Sequence, residues 1–424
     1  MSIFSINKLF KDGYKRFIIS FLNMRFSFKV KVSYKDKFQY YDYIENYGNY
    51  AKKDCVPITE SFYDNSSSIK PIAFYLPQFH SIPLNDKNFG KGFTEWTNVS
   101  KALPQFPGHH QPQIPIDVGF YDLTHDDVMY RQIELAKMYG IYGFCFYYYW
   151  FSGKRLLEKP LFNWLNNKDL NLPFCLCWAN ENWSKLWDGG NKEVVMEQKL
   201  QDDDDEKFFY DILPFLKDER YIKVDNKPVL LIYRLNLFEK ERVNKFIKNI
   251  RALAEKEGLF GIHLVGVKSF ELRDFEEYDV DASVEFPPFG INPNLFDEGY
   301  VNKNFVGEIY DMTSYVEKAD YINENNTKLY KSVFCGWDNT ARKVRSGAAI
   351  FLLEPDLYKK WLYNIMKWTR KNHKENDRLV FINAWNEWGE GAHLEPSLRY
   401  GYAYLQATKE ALEEVSLTNE KNVE

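Results

Sequence analysis

The stretch Phe381-Ile-Asn-Ala-Trp-Asn-Glu-Trp-Gly-Glu-Gly391 decides how the rest of the chain is read. It begins as a buried strand and then gathers two Trp, an Asn and two Glu around Gly389, with Gly391 behind them. An apolar strand that releases carboxylates and indoles at its C-terminal end is how a βα-barrel presents a site, because the loops at that end of every strand open onto one face. Glu387 and Glu390 beside aromatic platforms are the equipment for making or breaking a glycosidic bond.

Working outward, the same pattern repeats. From residue 69 onward, apolar runs of strand length alternate with longer helical patterns, which predicts parallel βα units. The strand runs are 72–78, 141–150, 173–180, 228–234, 262–267, 282–286, 330–338 and 379–386; helical patterns include 126–139, 207–216, 239–255 and 357–373. Eight strands with crossovers predict an α/β fold, a closed (β/α)8 barrel over 69–416. An extension at 1–68 precedes it, with Asp64-Asn-Ser-Ser-Ser68 as linker, and a polar tail at 417–424 follows. The polar insertion 290–328 follows a strand and is expected to lie over the C-terminal face as a lid.

Polar and aromatic residues collect at the strand ends. The candidates for substrate binding are Tyr75, Gln78 and His80 on the first strand, and Tyr148 and Trp150 on the second. The third offers Trp178, Asn180, Glu181 and Trp183, and the fourth Tyr233 and Arg234. Glu285 ends the sixth and Trp337 the seventh; Trp385, Asn386 and Trp388 accompany the catalytic candidates Glu387 and Glu390. Glu95 and Trp96 sit in a Gly-flanked loop suited to a sugar. Bland readings stand beside these: the second-strand aromatics as packing, Arg234 as an ion-pair residue, His80 as a loop cap. Two Glu, two Trp and an Asn in six residues are poor material for a core. The chemistry needs one carboxyl protonated near the glycosidic oxygen and another group at the sugar. Burial and a neighbouring charge raise one of the two. Carboxylates three residues apart sit on one side of the anomeric carbon, which suits assistance through a substrate hydroxyl better than direct attack.

Composition bounds the reading. The 424 residues carry a net charge of −5, with no basic footprint for nucleic acid. Aromatics reach 18%, more than one core needs, and aromatic faces stack on sugar C–H faces. Cys55, Cys145, Cys175, Cys177 and Cys335 are odd in number and match no zinc spacing; they read as reduced core residues. Cys175 and Cys177 alternate and so share one face of a strand. The acidic run Gln201-Asp-Asp-Asp-Asp-Glu206 is expected to open a helix. No metal and no cofactor is expected. No run approaches the ~20 apolar residues that span a bilayer. Residues 17–22 are too short for a signal core, so a cytoplasmic location is expected. The basic, amphipathic first 35 residues read either as a peripheral contact with the inner membrane or as a disordered, loosely docked extension.

Five ordered motifs resemble a known family: Ile72-Ala-Phe-Tyr-Leu-Pro-Gln-Phe-His80, Gly92-Phe-Thr-Glu-Trp-Thr-Asn98, Gly140-Ile-Tyr-Gly-Phe-Cys-Phe-Tyr-Tyr-Tyr-Trp150, Cys177-Trp-Ala-Asn-Glu-Asn-Trp183 and Asn383-Ala-Trp-Asn-Glu-Trp-Gly-Glu-Gly391. They look like the WbsX-type glycosyltransferases of bacterial surface-polysaccharide clusters, related to the endo-α-mannosidases of glycoside hydrolase family 99. The resemblance covers residues 70 to 410. It implies a metal-free barrel acting on α-linked glycans with retention. It assigns Glu387 as base on the sugar 2-hydroxyl, through an epoxide-like intermediate, and Glu390 as general acid/base. The expected partner is a glycan or lipid-linked oligosaccharide. The rival reading is an inactive glycan-binding or scaffold barrel.

Overall fold

The computed structural model describes residues 4–31, apart from 12–13 and 22–23, and residues 55–420, apart from 65–66, 107, 186–192, 273, 297–301, 303, 323–325 and 344–346. Expectations for 32–54, for part of the 64–68 linker and for the last four residues of the tail lie outside the described residues.

The strand runs form the predicted barrel. Its staves are β1 (Lys70–Tyr75), β2 (Gly143–Phe151), β3 (Phe174–Trp178), β4 (Lys227–Ile232), β5 (His263–Lys268), β6 (Ala282–Glu285), β7 (Leu329–Tyr330 and Ser332–Phe334) and β8 (Leu379–Asn383). All pair in parallel: β1 with β2, β2 with β3, and so on to β6, while β8 returns to β1. β7 is split at Lys331. Its first part bonds to β6 and its second to β8, which closes the ring. Parallel strands are covered on both faces, so they read as unbroken apolar runs; all nine residues of β2 are buried.

Among the described residues, the helices that cover the barrel or position the site include α1 (Glu95–Ser100), α2 (Asp126–Met138), α3 (Lys159–Asn166), α4 (Asp204–Leu216), α5 (Lys240–Lys256), α6 (Thr340–Lys343), α7 (Pro355–Asn372) and α8 (Ala403–Glu420). α5 buries Val243, Phe246, Ile247, Ile250 and Ala254, the 3–4 spacing of a helix with one apolar face. The acidic run does open α4. Its carboxylates serve structure: Asp205 pairs with Arg242 and accepts from Asn249, and Asp204 accepts from Ser152. Among the described residues, no helix lies between β5 and β6.

Two stretches depart from the sequence reading. The seventh strand ends at Phe334, not at 338. Beyond it, Trp337–Asp338 leaves the barrel and pairs antiparallel with Ala348–Leu352 in a flanking sheet. Gly336, at φ +136°, supplies a backbone turn that other residues resist. The described part of the insertion 290–328 also builds this flank: Gly307–Asp311 lies parallel to Ala348–Leu352 and antiparallel to Asn294–Leu295. Three antiparallel strands, Phe4–Lys11, Tyr14–Phe21 and Met24–Lys31, join the same sheet through Phe10 and Gly307.

Strand alternation sorts side chains between the barrel interior and the helix layer. Phe74 points inward against Tyr147, Phe286 and Phe381. Its neighbour Tyr75 points outward, against Phe144 and Phe146, and donates to Gln132 on α2. A cavity of about 750 Å³ lies at the N-terminal end of the barrel, walled by Ile69, Lys70, Tyr142 and Pro173. That end of a barrel serves stability, and the chemistry belongs to the other.

Candidate active site

At the C-terminal ends of the strands a cavity of about 180 Å³ opens over the barrel axis. Leu76 and Gln78 follow β1, and β2 contributes Tyr147 and Tyr149. Glu181, Asn182 and Trp183 follow β3, Tyr233 follows β4 and Phe286 follows β6. Arg342 comes from α6, and Asn383, Glu387 and Glu390 from β8 and the turn after it.

That turn is built locally. Asn386–Glu387 pairs antiparallel with Ala392–His393 across a 3-10 turn at Trp388–Glu390, and Gly391 closes it at φ +64°. The Asn386 carboxamide donates to the Leu76 carbonyl and accepts from the Leu76 N–H, which ties the end of β8 to the end of β1. Underneath, the buried Glu395 carboxylate accepts from both indoles, Trp385 Nε1 at 3.1 Å and Trp388 Nε1 at 2.6 Å, and from Gln132 and the Tyr121 hydroxyl. Both Trp rings are therefore bolted into the core, and Trp388 also stacks on His393. They fix the turn from below and do not line the cavity.

The acidic centre is organised by one cation. Arg342 donates Nε to Glu95 at 2.8 Å, Nη2 to Glu387 at 2.7 Å and Nη1 to Glu390 at 2.9 Å. Burial works against the arginine's charge, but the three carboxylates hold it protonated. Burial pushes Glu387 up to about 8; Arg342 opposes this, and the charges of Glu390 and Glu95 reinforce it. Burial likewise raises Glu181, against the pull of Arg234 at 3.1 Å. Arg234 lies over the Phe270 ring, and Asn180 exchanges two hydrogen bonds with the Arg234 backbone. Gln78 donates to the Tyr149 hydroxyl, and Trp183 meets the Tyr149 ring edge-on.

The fold thus brings Gln78, Glu181, Trp183, Tyr233, Glu387 and Glu390 to one cavity, with Glu95, Asn180, Arg234 and Asn386 directly behind them. Other candidates lie elsewhere, and most follow from strand parity. Tyr148 turns out to Asp211 on α4. Trp150 and Trp178 pack on Phe208 of α4. Tyr75 faces α2, and Trp96 donates to the Tyr121 carbonyl beneath the turn. His80 is buried against Ser81, where burial holds its ring neutral. Glu285 pairs with Lys331 between the barrel and the helix layer, and Trp337 lines a separate cavity beside the flanking sheet. Sequence reasoning missed Arg342, Tyr147 and Tyr149. The alternation that put Cys175 and Cys177 on one face applies equally to Tyr147 and Tyr149.

The barrel thus gathers three carboxylates, an arginine and several aromatics around one strand-end cavity. The chain belongs to the WbsX glycosyltransferase family, which it matches over residues 71–408. It is 44% identical over 343 residues to the uncharacterized protein WxcX of two Xanthomonas campestris pv. campestris strains, B100 and ATCC 33913, with 80% of this chain aligned. The chain spans about half the length of these curated relatives, 49%. Among solved structures, a glycoside hydrolase-like protein superposes with a TM-score of 0.50 at 15% identity, over 85% of this chain and 99% of that one, and shares the fold. The GH99 endo-α-mannosidase from Bacteroides thetaiotaomicron gives a TM-score of 0.49 at 14% identity, over 82% and 98%. No described helix is long and apolar enough to cross a membrane.

Proposed function

We propose that this protein transfers or hydrolyses an α-linked sugar in the assembly of a bacterial surface polysaccharide, with Glu387 and Glu390 as its catalytic pair. The observation that carries this reading is their shared position. Both edge the same cavity and both touch the same guanidinium, so both reach the substrate from one side. Glu387 lies deeper. It takes the proton of the sugar 2-hydroxyl as O2 closes on C1, and Glu390 protonates the oxygen that leaves C1. In the second half, water or an acceptor hydroxyl gives its proton to Glu390 and opens the three-membered ring at C1, while Glu387 returns its proton to O2. Burial raises Glu387, so its ionised carboxylate is a stronger base toward the weakly acidic 2-hydroxyl than an ordinary glutamate. Tyr147, Tyr149, Tyr233 and Trp183 supply the faces and hydroxyls that hold the ring.

The substrate in this reading is a lipid-linked glycan, met at the cytoplasmic face of the inner membrane through the N-terminal strands. Phe26 and Phe28 stand exposed there. Overnight incubation with α-mannan and with lipid-linked oligosaccharide, followed by mass spectrometry, tests the activity. Wild type should give shortened or extended glycans. E387Q and E390Q should bind the glycan but lose turnover by about 10²–10⁴-fold. Full turnover in either variant, or binding without turnover in wild type, sinks the assignment; the second result favours the scaffold reading.

A further inference from the structure

The carboxylates of this site outnumber their cation. Glu95, Glu387 and Glu390 surround Arg342, the side chains of Glu95 and Arg342 are 0% and 6% exposed, and each carboxylate meets a different guanidinium nitrogen. If all three were ionised, the cluster would carry two uncompensated negative charges in a poorly hydrated pocket, a state that burial strongly disfavours. Glu95 is the member set back from the cavity. It does not line the cavity and sits on α1, behind Arg342. Its Oε1 accepts from Arg342 and, at 3.3 Å, from Asn98; its Oε2 is buried with no hydrogen-bond partner. The contact is tight on its other side as well. A Cβ at Gly389, between the two catalytic residues, would overlap Glu95 Oε1 and meet Arg342 Nε and Nη2 at 2.9 and 3.0 Å.

We propose that Glu95 is a positioning residue which neutralises Arg342, so that the guanidinium orients Glu387 and Glu390 while its charge is already matched. The inference deepens the proposed function and rests on it for its chemical meaning. An arginine with no such counter-ion would draw the Glu387 carboxyl further toward its ionised form. With Glu95 in place, the guanidinium keeps its geometry, one donor to each partner, while its charge is already matched. The other groups facing the cluster do not take over this role. Glu181 is matched by Arg234; Tyr147, Tyr149 and Tyr233 are buried hydroxyls whose ionisation burial opposes; Lys343, beside Arg342 on α6, acts on Glu181.

The test reads protonation directly, so it stands apart from any turnover. Infrared difference titration of the carboxyl stretch on the full chain should show, beside the band of Glu395, a protonated carboxyl near neutral pH that is lost in E387Q/E390Q. In E95Q, the freed charge of Arg342 should drive that proton off at a pH lower by about one unit or more. R342M, which removes the cation, should move the titration upward. Equal titrations in wild type and E95Q, or shifts of the same sign in E95Q and R342M, overturn the proposal. If E95Q does not fold, R342M alone decides: an upward shift supports it and no shift overturns it. Where wild type turns over a glycan, the alkaline limb of kcat/KM should move down in E95Q by the same amount; a uniform loss at all pH values marks a merely structural role. Absence of turnover on every glycan counts against the catalytic reading and leaves the titration to judge Glu95.

Discussion

Gly389→Ala is the sharpest single perturbation of this site, because the change is one methyl group and its destination is known. Gly389 has no positive φ, so the backbone accepts alanine. The obstacle is what already occupies the space: the Glu95 carboxylate, with Arg342 Nε and Nη2 behind it. All of these are buried and hydrogen-bonded, so the methyl group cannot be absorbed by a swinging surface chain. If the turn shifts and the ion pair survives, the cost is that of overpacking, about 1–3 kcal/mol. If Glu95 and Arg342 separate, it approaches the ~3–5 kcal/mol of a broken buried pair. Displacement of Glu387 and Glu390 by about an ångström would lower turnover by roughly 10²-fold. Urea unfolding followed by Trp fluorescence measures the first quantity, and the double variant E95A/G389A isolates its cause. With Glu95 truncated, the principal clash is gone, so the alanine should cost at least ~1 kcal/mol less than in wild type. Equal costs in the two backgrounds, within ~0.5 kcal/mol, would refute the packing argument and with it the claim that this glycine is present to admit Glu95.

Strand parity predicts different binding phenotypes for adjacent tyrosines. Y149F should weaken glycan binding severalfold in calorimetry as well as costing ~1 kcal/mol through the unpaired Gln78 amide, whereas Y148F should lose ~1 kcal/mol of stability with unchanged binding, because its partner is Asp211. Above about pH 7, where Glu395 is ionised, E395Q turns one face of an all-acceptor group into a donor opposite an indole or phenol donor and should cost about 1–3 kcal/mol in urea. Burial raises Glu387 to about 8 and Glu395 to about 7, so the folded state keeps protons that the unfolded chain releases above the ordinary Glu value of 4.5. Their contribution is complete below that value and is lost as pH rises through 7 and 8. Unfolding free energy should therefore fall between about pH 5 and 8, and the fall should be shallower in E387Q and in E395Q. Removal of residues 1–31 should abolish flotation with anionic liposomes and leave glycan turnover unchanged.

Much of the fold was legible because parallel barrel strands announce themselves: covered on both faces, they are written as continuous apolar runs, and β2 and β8 were found within a few residues of their bounds. The seventh strand misled because Trp337–Asp338 continues the apolar run of β7 while pairing in another sheet. Periodicity registers burial and says nothing of which sheet provides it. The site was legible as a place and less so as a set of side chains. Trp150, Trp178, Trp385 and Trp388 look like sugar platforms in one dimension, yet each faces a helix or is tied to Glu395. Composition cannot separate an indole that binds from one that braces; alternation can, as it does for Tyr147 and Tyr149.

Arg342 was beyond local reading for a different reason. It reaches Glu387 across 45 residues and Glu95 across 247, from a one-turn helix with no pattern of its own. Yet the need for it was present in the motif. Two glutamates presented on one buried turn repel each other, and each loses hydration that nothing on that turn replaces. Such a pair can persist only with a cation between its members or a proton on one of them. The structure contains the cation, and then a third carboxylate behind it that cancels most of the charge. That sequence of demands, from pair to arginine to Glu95, is electrostatic from end to end. It turns a motif of two glutamates into a constraint on residues hundreds of positions away.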